Sequence, residues 1–345
     1  MGWINSYTFE GTNGRDTATQ NGRIEVDIYT YGGNDTIYLN LTSPDGGFNY
    51  VSAGSGNDYV KNWFEGGNKI DLGSGNDTYI HNGYAIDDDY YDVVYGGSGN
   101  DWFEVETLQS DYYGENDNDT FLSVGYDNYF NGGSGNDTLS YALQDDSDLR
   151  GRGVYVDLDK KFARVGSNKE TFTSIENATG TGFDDTLRGN SGANDLKGGS
   201  GNDILSGRSG NDYLVGGSGS DELLGGNGND DLVGGRGHDI LNGGTGSDYF
   251  IFDSIKDSVV GSKRDVIEDF YRSENDKIDL SNIDANVNRS GNQAFKFIGT
   301  DSFDDRAGEL RYSGHIISGD VDGDGRADFQ IYANLTKYYA SDFVL

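Results

Sequence analysis

A nine-residue unit, written eight times in succession between Gly180 and Ile251, constrains this chain more than any other feature. Its cleanest copies are Gly198-Gly199-Ser200-Gly201-Asn202-Asp203-Ile204-Leu205-Ser206 and Gly243-Gly244-Thr245-Gly246-Ser247-Asp248-Tyr249-Phe250-Ile251, a G-G-x-G-x-D-x-U-x pattern with U large and apolar. Three columns keep the spacing. The first is Gly180, Gly189, Gly198, Gly207, Gly216, Gly225, Gly234 and Gly243; the second is Asp185, Asn194, Asp203, Asp212, Asp221, Asp230, Asp239 and Asp248; the third is Leu187, Leu196, Leu205, Leu214, Leu223, Leu232, Leu241 and Phe250. A period of nine fits neither a helix nor a long strand, but it fits six residues of turn followed by three of strand. Side chains alternate along a strand, so the Leu column points inward and each unit supplies one core residue. Such a unit cannot fold alone, and stacking is what buries the column.

Glycine supplies the positive φ of tight bends and lets carbonyls approach an ion. Aspartate supplies the charge. Two adjacent turns form a cage of about 6 oxygens, which suits Ca²⁺. The expected ligands are Asp203, Asp212, Asp221, Asp230, Asp239 and Asp248 with Asp185, and the turn carbonyls beside them. Those turn positions are Gly198, Gly199 and Gly201; Gly207 and Gly210; Gly216, Gly217 and Gly219; Gly225, Gly226 and Gly228; Gly234, Gly235 and Gly237; and Gly243, Gly244 and Gly246. Neutral Asn194 marks a weaker or absent site. A disordered Gly/Asp linker would have no reason to hold leucine in register.

The block resembles the RTX (hemolysin-type) calcium-binding repeats of secreted bacterial proteins, which implies a parallel β-roll holding several Ca²⁺ ions. Composition agrees, for Lys+Arg 25 against Asp+Glu 59 gives a net charge of −34, which opposes compaction until cations neutralise it. That sign argues against nucleic acid and anionic membrane surfaces as direct partners, since both need a basic patch. There is no Cys, hence no disulfide and no thiolate site. No 18-residue apolar run spans a membrane, and residues 1–25 lack the pattern of a cleavable signal peptide.

The first 140 residues carry the same turn more sparsely. Asp16, Asp35, Asp58, Asp77, Asp101, Asp119 and Asp137 close turns such as Gly96-Gly97-Ser98-Gly99-Asn100-Asp101, at intervals of 19, 23, 19, 24, 18 and 18 residues. Two units make 18, so each interval is one coil. One edge keeps the calcium turn, and the other is expected to be a degenerate bend such as Glu65-Gly66-Gly67-Asn68 or Gly125-Tyr126-Asp127-Asn128. Strand-forming triplets follow each aspartate, from Thr36-Ile37-Tyr38 to Thr138-Leu139-Ser140. Tyr90, Tyr91, Tyr112 and Tyr113 suggest either a sugar-stacking stripe or ordinary decoration of exposed strands, and Asp87-Asp88-Asp89 either a solvated loop or an additional metal ligand set.

Between Tyr141 and Ala178 the turns stop. Gly153–Leu158 and Ala163–Val165 are expected to pair as a hairpin, and Ser174-Ile175-Glu176-Asn177-Ala178-Thr179-Gly180 resembles the entry to the calcium block in serralysin-type proteases and alginate epimerase modules. After Ile251, Asp265-Val266-Ile267-Glu268-Asp269-Phe270 and Asp276-Lys277-Ile278-Asp279-Leu280-Ser281 resemble the serralysin-type C-terminal cap, which a roll needs to cover its last coil. Asp320, Asp322 and Asp324 match half of an EF-hand loop, with Asp328 nearby, but position twelve is Ile331 where a Glu is needed; an occupied ion and a plain Asp/Gly turn both stay open. The terminal Asp342-Phe343-Val344-Leu345 resembles an uncleaved signal for a type I ABC exporter. The expected fold is all-β, with parallel β-roll/β-helix repeats in two blocks and a β-sandwich-like cap. The expected divisions are 1–140, a spacer at 141–177, the nonapeptide roll at 178–252, and a capping and secretion-signal region at 253–345.

Catalytic signatures are missing. His81, His238 and His315 are scattered, with no H-E-x-x-H and no G-x-S-x-G, and with only Pro44 there is no Asp-Pro-His-Glu string of the epimerases. The expected protein is extracellular, folds on Ca²⁺, and binds a surface ligand or extracellular polysaccharide; a polysaccharide lyase or epimerase acting through the first block is the alternative.

Overall fold

The computed structural model describes residues 2–3, 7–40, 47–63, 66–83, 91–124, 127–143 and 151–345. The acidic loop at Asp87–Asp89, Tyr90 and the bend residues Glu65, Gly125 and Tyr126 lie outside the described residues. The chain forms two compact units, Met1–Thr179 and Gly180–Leu345. Among the described residues the regular elements are strands, with two short 3-10 turns.

In the first unit each coil contributes two strands, joined by a glycine–aspartate turn. One parallel ladder stacks Thr8–Thr12, Asp27–Tyr31, Tyr50–Ser55, Lys69–Ser74, Val93–Ser98, Asp111–Asn116 and Tyr129–Ser134. The other stacks Thr17–Thr19, Thr36–Leu39, Tyr59–Asn62, Thr78–His81, Trp102–Val105, Thr120–Ser123 and Thr138–Ser140, so the strand triplets fall where the sequence placed them. Register never slips: Val51, Ile70, Val94, Tyr112 and Phe130 form one buried row. The interior grows from Ala18, Ile37 and Val60 to Tyr79, Phe103 and Phe121, the last two stacked with ring centres 4.8 Å apart. Tyr112 therefore does not belong to an outer stripe. It lies in the inward column, and alternation sends its neighbour Tyr113 outward.

The first unit closes with an antiparallel insert. Val154–Asp157 pairs with Phe162–Val165, which pairs with Asn168–Thr173, and this last strand joins Tyr129–Ser134 in parallel. Asn177–Thr179 extends the other ladder.

Within the nonapeptide roll of the second unit, paired strand residues lie 18 places apart, as in Leu187↔Leu205, Leu205↔Leu223 and Leu196↔Leu214, and the whole Leu/Phe250 column is fully buried. Strands such as Asp195–Ser200 and Glu222–Asn227 run six residues rather than three, because the ladder pairing resumes at the second glycine, as in Gly199↔Gly217. A second inward column results, made of the first glycines, so each unit has two inward positions and not one.

The cap continues both ladders of this unit. Asp265–Ile267 stacks on Ile240–Thr245 and is followed by Phe329–Ala333, which leads antiparallel into Ile316–Asp320 and Glu309–Ser313. Lys277–Asp279 stacks on Tyr249–Ile251, and the terminal Phe343–Val344 stacks on Lys277–Asp279. Phe270, Phe297, Tyr338 and Phe343 pack together beneath them, replacing the leucine column with rings. The last strands of the roll are thus each covered by a strand of the cap.

Candidate metal centres

Each turn aspartate uses its carboxylate in the same way. One oxygen accepts the backbone N–H of the equivalent residue one coil earlier: Asp35 N–H to Asp58, Asp58 to Asp77, Asp77 to Asp101, Asp101 to Asp119 and Asp119 to Asp137, at 2.7–2.9 Å. The second unit repeats this along both edges, Asp203 to Asp221 to Asp239 on one and Asp212 to Asp230 to Asp248 on the other, at 2.8–3.0 Å.

The other oxygen, Oδ2, has no donor. This holds for Asp35, Asp58, Asp77, Asp101, Asp119, Asp137, Asp203, Asp212, Asp221, Asp230, Asp239 and Asp248, all of which are buried. What surrounds it is more acceptor. A Cβ placed on Gly198 would strike Asp203 Oδ2 and come 2.7 Å from the Gly216 carbonyl oxygen, and Gly207, Gly216 and Gly225 repeat the arrangement. These first-column glycines do not adopt positive φ; they are glycines because a side chain would fill the space between carboxylate and carbonyl. Positive φ belongs to the second and fourth columns, as at Gly199 (113°) and Gly201 (118°).

A carboxylate facing carbonyls in a buried cleft is costly unless a cation or a proton arrives. Burial is the largest effect on these groups. It raises Asp58, Asp137, Asp221 and Asp230 from the ordinary 3.8 to about 6, Asp77, Asp119, Asp212, Asp239 and Asp248 to about 7, and Asp101 and Asp203 to about 8, against the lowering effect of the N–H each accepts. Convergent hard oxygens with no donor among them fit Ca²⁺.

Not every expected ligand shares this state. Asp16 and Asp185 sit at the starts of their stacks, where the turn's own threonine closes the carboxylate: Thr12 Oγ1 donates to Asp16 Oδ2 at 2.9 Å, and the Thr181 N–H donates to Asp185 Oδ2 at 2.6 Å. Asn194 accepts the Asn190 N–H through its amide oxygen at 2.8 Å. Conversely, the ladders reach residues that the spacing missed. Asp265 accepts the Asp239 N–H and leaves its own Oδ2 without a donor, burial raising it to about 9; Asp276 accepts the Asp248 N–H, and Glu176 that of Asp137. The intervals of 26 and 28 residues hid Asp265 and Asp276; the turn before Asp265 keeps one glycine, Gly261, and that before Asp276 keeps none. The surviving signal is D-x-U, with Ile267 and Ile278 taking the buried Leu position.

The opposite edge of the first unit is no loose bend. Asn49, Asn68, Asp92, Ser110 and Asn128 form a buried polar column in which the Val26 N–H donates to Asn49, Asn49 to Asn68, Asn68 to Asp92, Asp92 to Ser110 and Ser110 to Asn128, at 2.9–3.1 Å. Amide groups supply the missing donors. Asn49 Nδ2 gives to Asn68 Oδ1 and Asn68 Nδ2 to Asp92 Oδ1, while Asp92 Oδ2 takes Tyr79 Oη and Asn62 Nδ2 and lies 3.0 Å from His81 Nδ1.

In the cap, the carboxylates of Asp320, Asp322 and Asp328 lie within 4.8 Å of one another. Both Asp320 oxygens accept turn N–H groups, from Gly323 and Gly325, and Asp328 accepts that of Val321. Ile331, at the twelfth position, is a buried strand residue. Asp342 is buried and held bidentately by Arg272, with both nitrogens 2.7 Å from its oxygens. His238 Nδ1 meets the Arg264 carbonyl at 2.6 Å; His81 is in the interior of the first unit; His315 stacks on Tyr332. The three histidines thus lie in three separate settings.

Residues 171–345, just over half of the chain, match the family model described as Peptidase M10 serralysin C terminal. The chain belongs to the serralysin C-terminal family. Residues 84–105 and 113–148, which hold the turns ending in Asp101, Asp119 and Asp137, match the RTX calcium-binding nonapeptide repeat. A search of curated proteins returned no match. The protein is thus a calcium-binding RTX repeat protein with a serralysin-type cap, binding several Ca²⁺ ions, and neither matched model is a catalytic protease domain.

Proposed function

We propose that the chain is a secreted module that folds on Ca²⁺ outside the cell and binds extracellular polysaccharide along its first unit. In the cytosol, where free Ca²⁺ is low, carboxylate repulsion keeps it loose enough for a type I exporter; outside, ion binding free energy becomes folding free energy. The ions would lie between successive turns, held by Asp35, Asp58, Asp77, Asp101, Asp119 and Asp137 in the first unit and by Asp203, Asp212, Asp221, Asp230, Asp239, Asp248 and Asp265 in the second, with glycine-turn carbonyls completing each shell.

The observation that carries the binding role is the outer face of the first ladder. Tyr95 and Tyr113 stack there with ring centres 5.0 Å apart, Tyr129 follows at 6.0 Å, and Tyr29 and Tyr50 lie 5.7 Å apart on earlier coils. Between the two groups, Lys69 Nζ reaches over Tyr95, and a depression of about 360 Å³ is lined by Phe48, Lys69, Tyr91 and Tyr95. Rings on two and then three successive coils, spaced about 4.8 Å per coil, offer stacking surface to an extended sugar chain crossing the strands. A glycan array with and without EGTA tests this, with a lyase assay alongside for the enzymatic alternative. Glycan retention lost with EGTA supports the reading; turnover without retention favours the enzyme.

A further inference from the structure

We infer that the antiparallel insert Val154–Asp157, Phe162–Val165 and Asn168–Thr173 recognises the charged groups of the bound polymer, and that this polymer carries carboxylates. The inference rests on the polysaccharide reading above and adds the substrate class.

Charge is the first ground. From Ile24 to Leu149 the chain holds two Lys/Arg, Lys61 and Lys69, whereas Gly151 to Thr173 holds Arg152, Lys160, Lys161, Arg164 and Lys169. All five are exposed. The acids of this segment are mostly withdrawn: Asp157 and Glu170 are fully buried, Glu170 accepting from Tyr141 and Ser123, which leaves Asp159 exposed. A local cationic surface therefore stands out from a chain of net charge −34.

Geometry is the second. Tyr155, Arg164 and Lys169 fall opposite one another across the three strands, and Asp157, Phe162 and Thr171 form the next row. Phe162 stacks on Tyr155 at 5.6 Å and 23°. The Arg164 guanidinium lies 5.7 Å and the Lys169 ammonium 5.4 Å from the centre of the Phe162 ring. Among the described residues neither cation forms an ion pair with a carboxylate, in a protein with 59 acids to choose from. A ring holds a cation in place without neutralising it, so both charges stay available to a ligand. Arginine's planar fork suits a carboxylate bidentately, while Phe162 and Tyr155 offer a face to the pyranose ring.

Continuity is the third. Thr171 is the sheet neighbour of Tyr129, whose hydroxyl meets Thr173 Oγ1 at 2.9 Å. The cationic patch therefore extends the Tyr95–Tyr113–Tyr129 face, and a chain stacked on those tyrosines would bring its acidic groups to Arg164 and Lys169. A narrow patch on an acidic body fits a linear polyanion better than a flat anionic membrane, which the surrounding carboxylates repel.

The test uses the full chain at saturating Ca²⁺, with calorimetry against oligogalacturonate, a neutral β-glucan oligomer, a sulfated glycan, and phosphatidylglycerol vesicles. Arg164→Glu/Lys169→Glu should weaken oligogalacturonate binding at least about tenfold and leave neutral binding unchanged, and added salt should weaken only the charged ligand. Tyr113→Ala should weaken both. Wild-type affinity in the charge-reversed variant overturns the inference, as does tighter binding of the sulfated glycan or capture by vesicles through the same cations. Tyr113-dependent binding of the neutral oligomer alone overturns the inference and keeps the polysaccharide reading; binding of no glycan removes both.

Discussion

The two edges of the first unit solve one geometric problem with different chemistry. On each, a side-chain oxygen accepts the backbone N–H of the coil before, at 2.7–2.9 Å along the aspartate edge and 2.9–3.1 Å along the asparagine edge. What differs is the second polar atom. An asparagine offers N–H₂, which finds an acceptor in the next coil, so that edge closes on itself. An aspartate offers another oxygen facing carbonyls, so its edge is complete only with a cation. In the second unit both edges are of the aspartate kind, apart from Asn194. Calcium dependence is thus set edge by edge, and the second unit should depend on the ion more than the first.

The largest test of that contrast is chelation. At pH 7.5 with EGTA, hydrogen exchange should show amides from Leu196 to Phe250 fully exchanging, while those of Asn49, Asn68, Asp92 and Asn128 keep measurable protection; equal loss in both units would erase the distinction between edges. Next comes Asp92→Ala, which removes the carboxylate that accepts from Tyr79 Oη, Asn62 Nδ2 and the Asn68 N–H. About 3–5 kcal/mol should be lost from the first unit in denaturant melts at saturating Ca²⁺, with the second unit's calcium midpoint unmoved.

Acidification probes the other edge. Burial raises carboxyls such as Asp77, Asp101 and Asp203 from 3.8 to about 7 or 8, so the folded, metal-free chain binds more protons than the unfolded one in that interval. Their stabilising contribution is complete below about pH 4 and is lost as pH rises through 6 to 8. Circular dichroism of the calcium-free protein should therefore gain β signal from pH 7.5 to 5, while the Ca²⁺ concentration needed for folding rises, because protons and ions compete for the same oxygens.

Asp101→Asn converts one aspartate turn to asparagine chemistry. It should stabilise the metal-free first unit by about 1–2 kcal/mol and lower the bound calcium count by one in equilibrium dialysis; an unchanged count would remove Asp101 from the ligand set. Smallest is Gly198→Ala, whose methyl group would lie 2.7 Å from the Gly216 carbonyl oxygen as well as against Asp203; a loss of about 1 kcal/mol is expected with or without calcium in denaturant melts.

The sequence by itself determined the repeat, the coil length of 18, the inward leucines and the aspartate column, because each is a strictly local requirement: a bend needs glycine, a buried strand position needs an apolar side chain, and an ion needs a carboxylate. It also located Asp203 through Asp248, since nothing interrupts their spacing. Only the tertiary structure decided which carboxylates are left without a donor. Asp16 and Asp185 look like their neighbours in the sequence, yet threonines at the starts of the stacks occupy them, and Asp265 joins the column only because a longer loop returns the chain to the same ladder. The asparagine edge was legible in spacing alone, for Asn49, Asn68, Asp92, Ser110 and Asn128 each lie nine residues before a turn aspartate but share no residue type, so their chemistry did not show. They become one column only when neighbouring coils bring each side-chain oxygen to an N–H that lies 18 to 24 residues away along the chain.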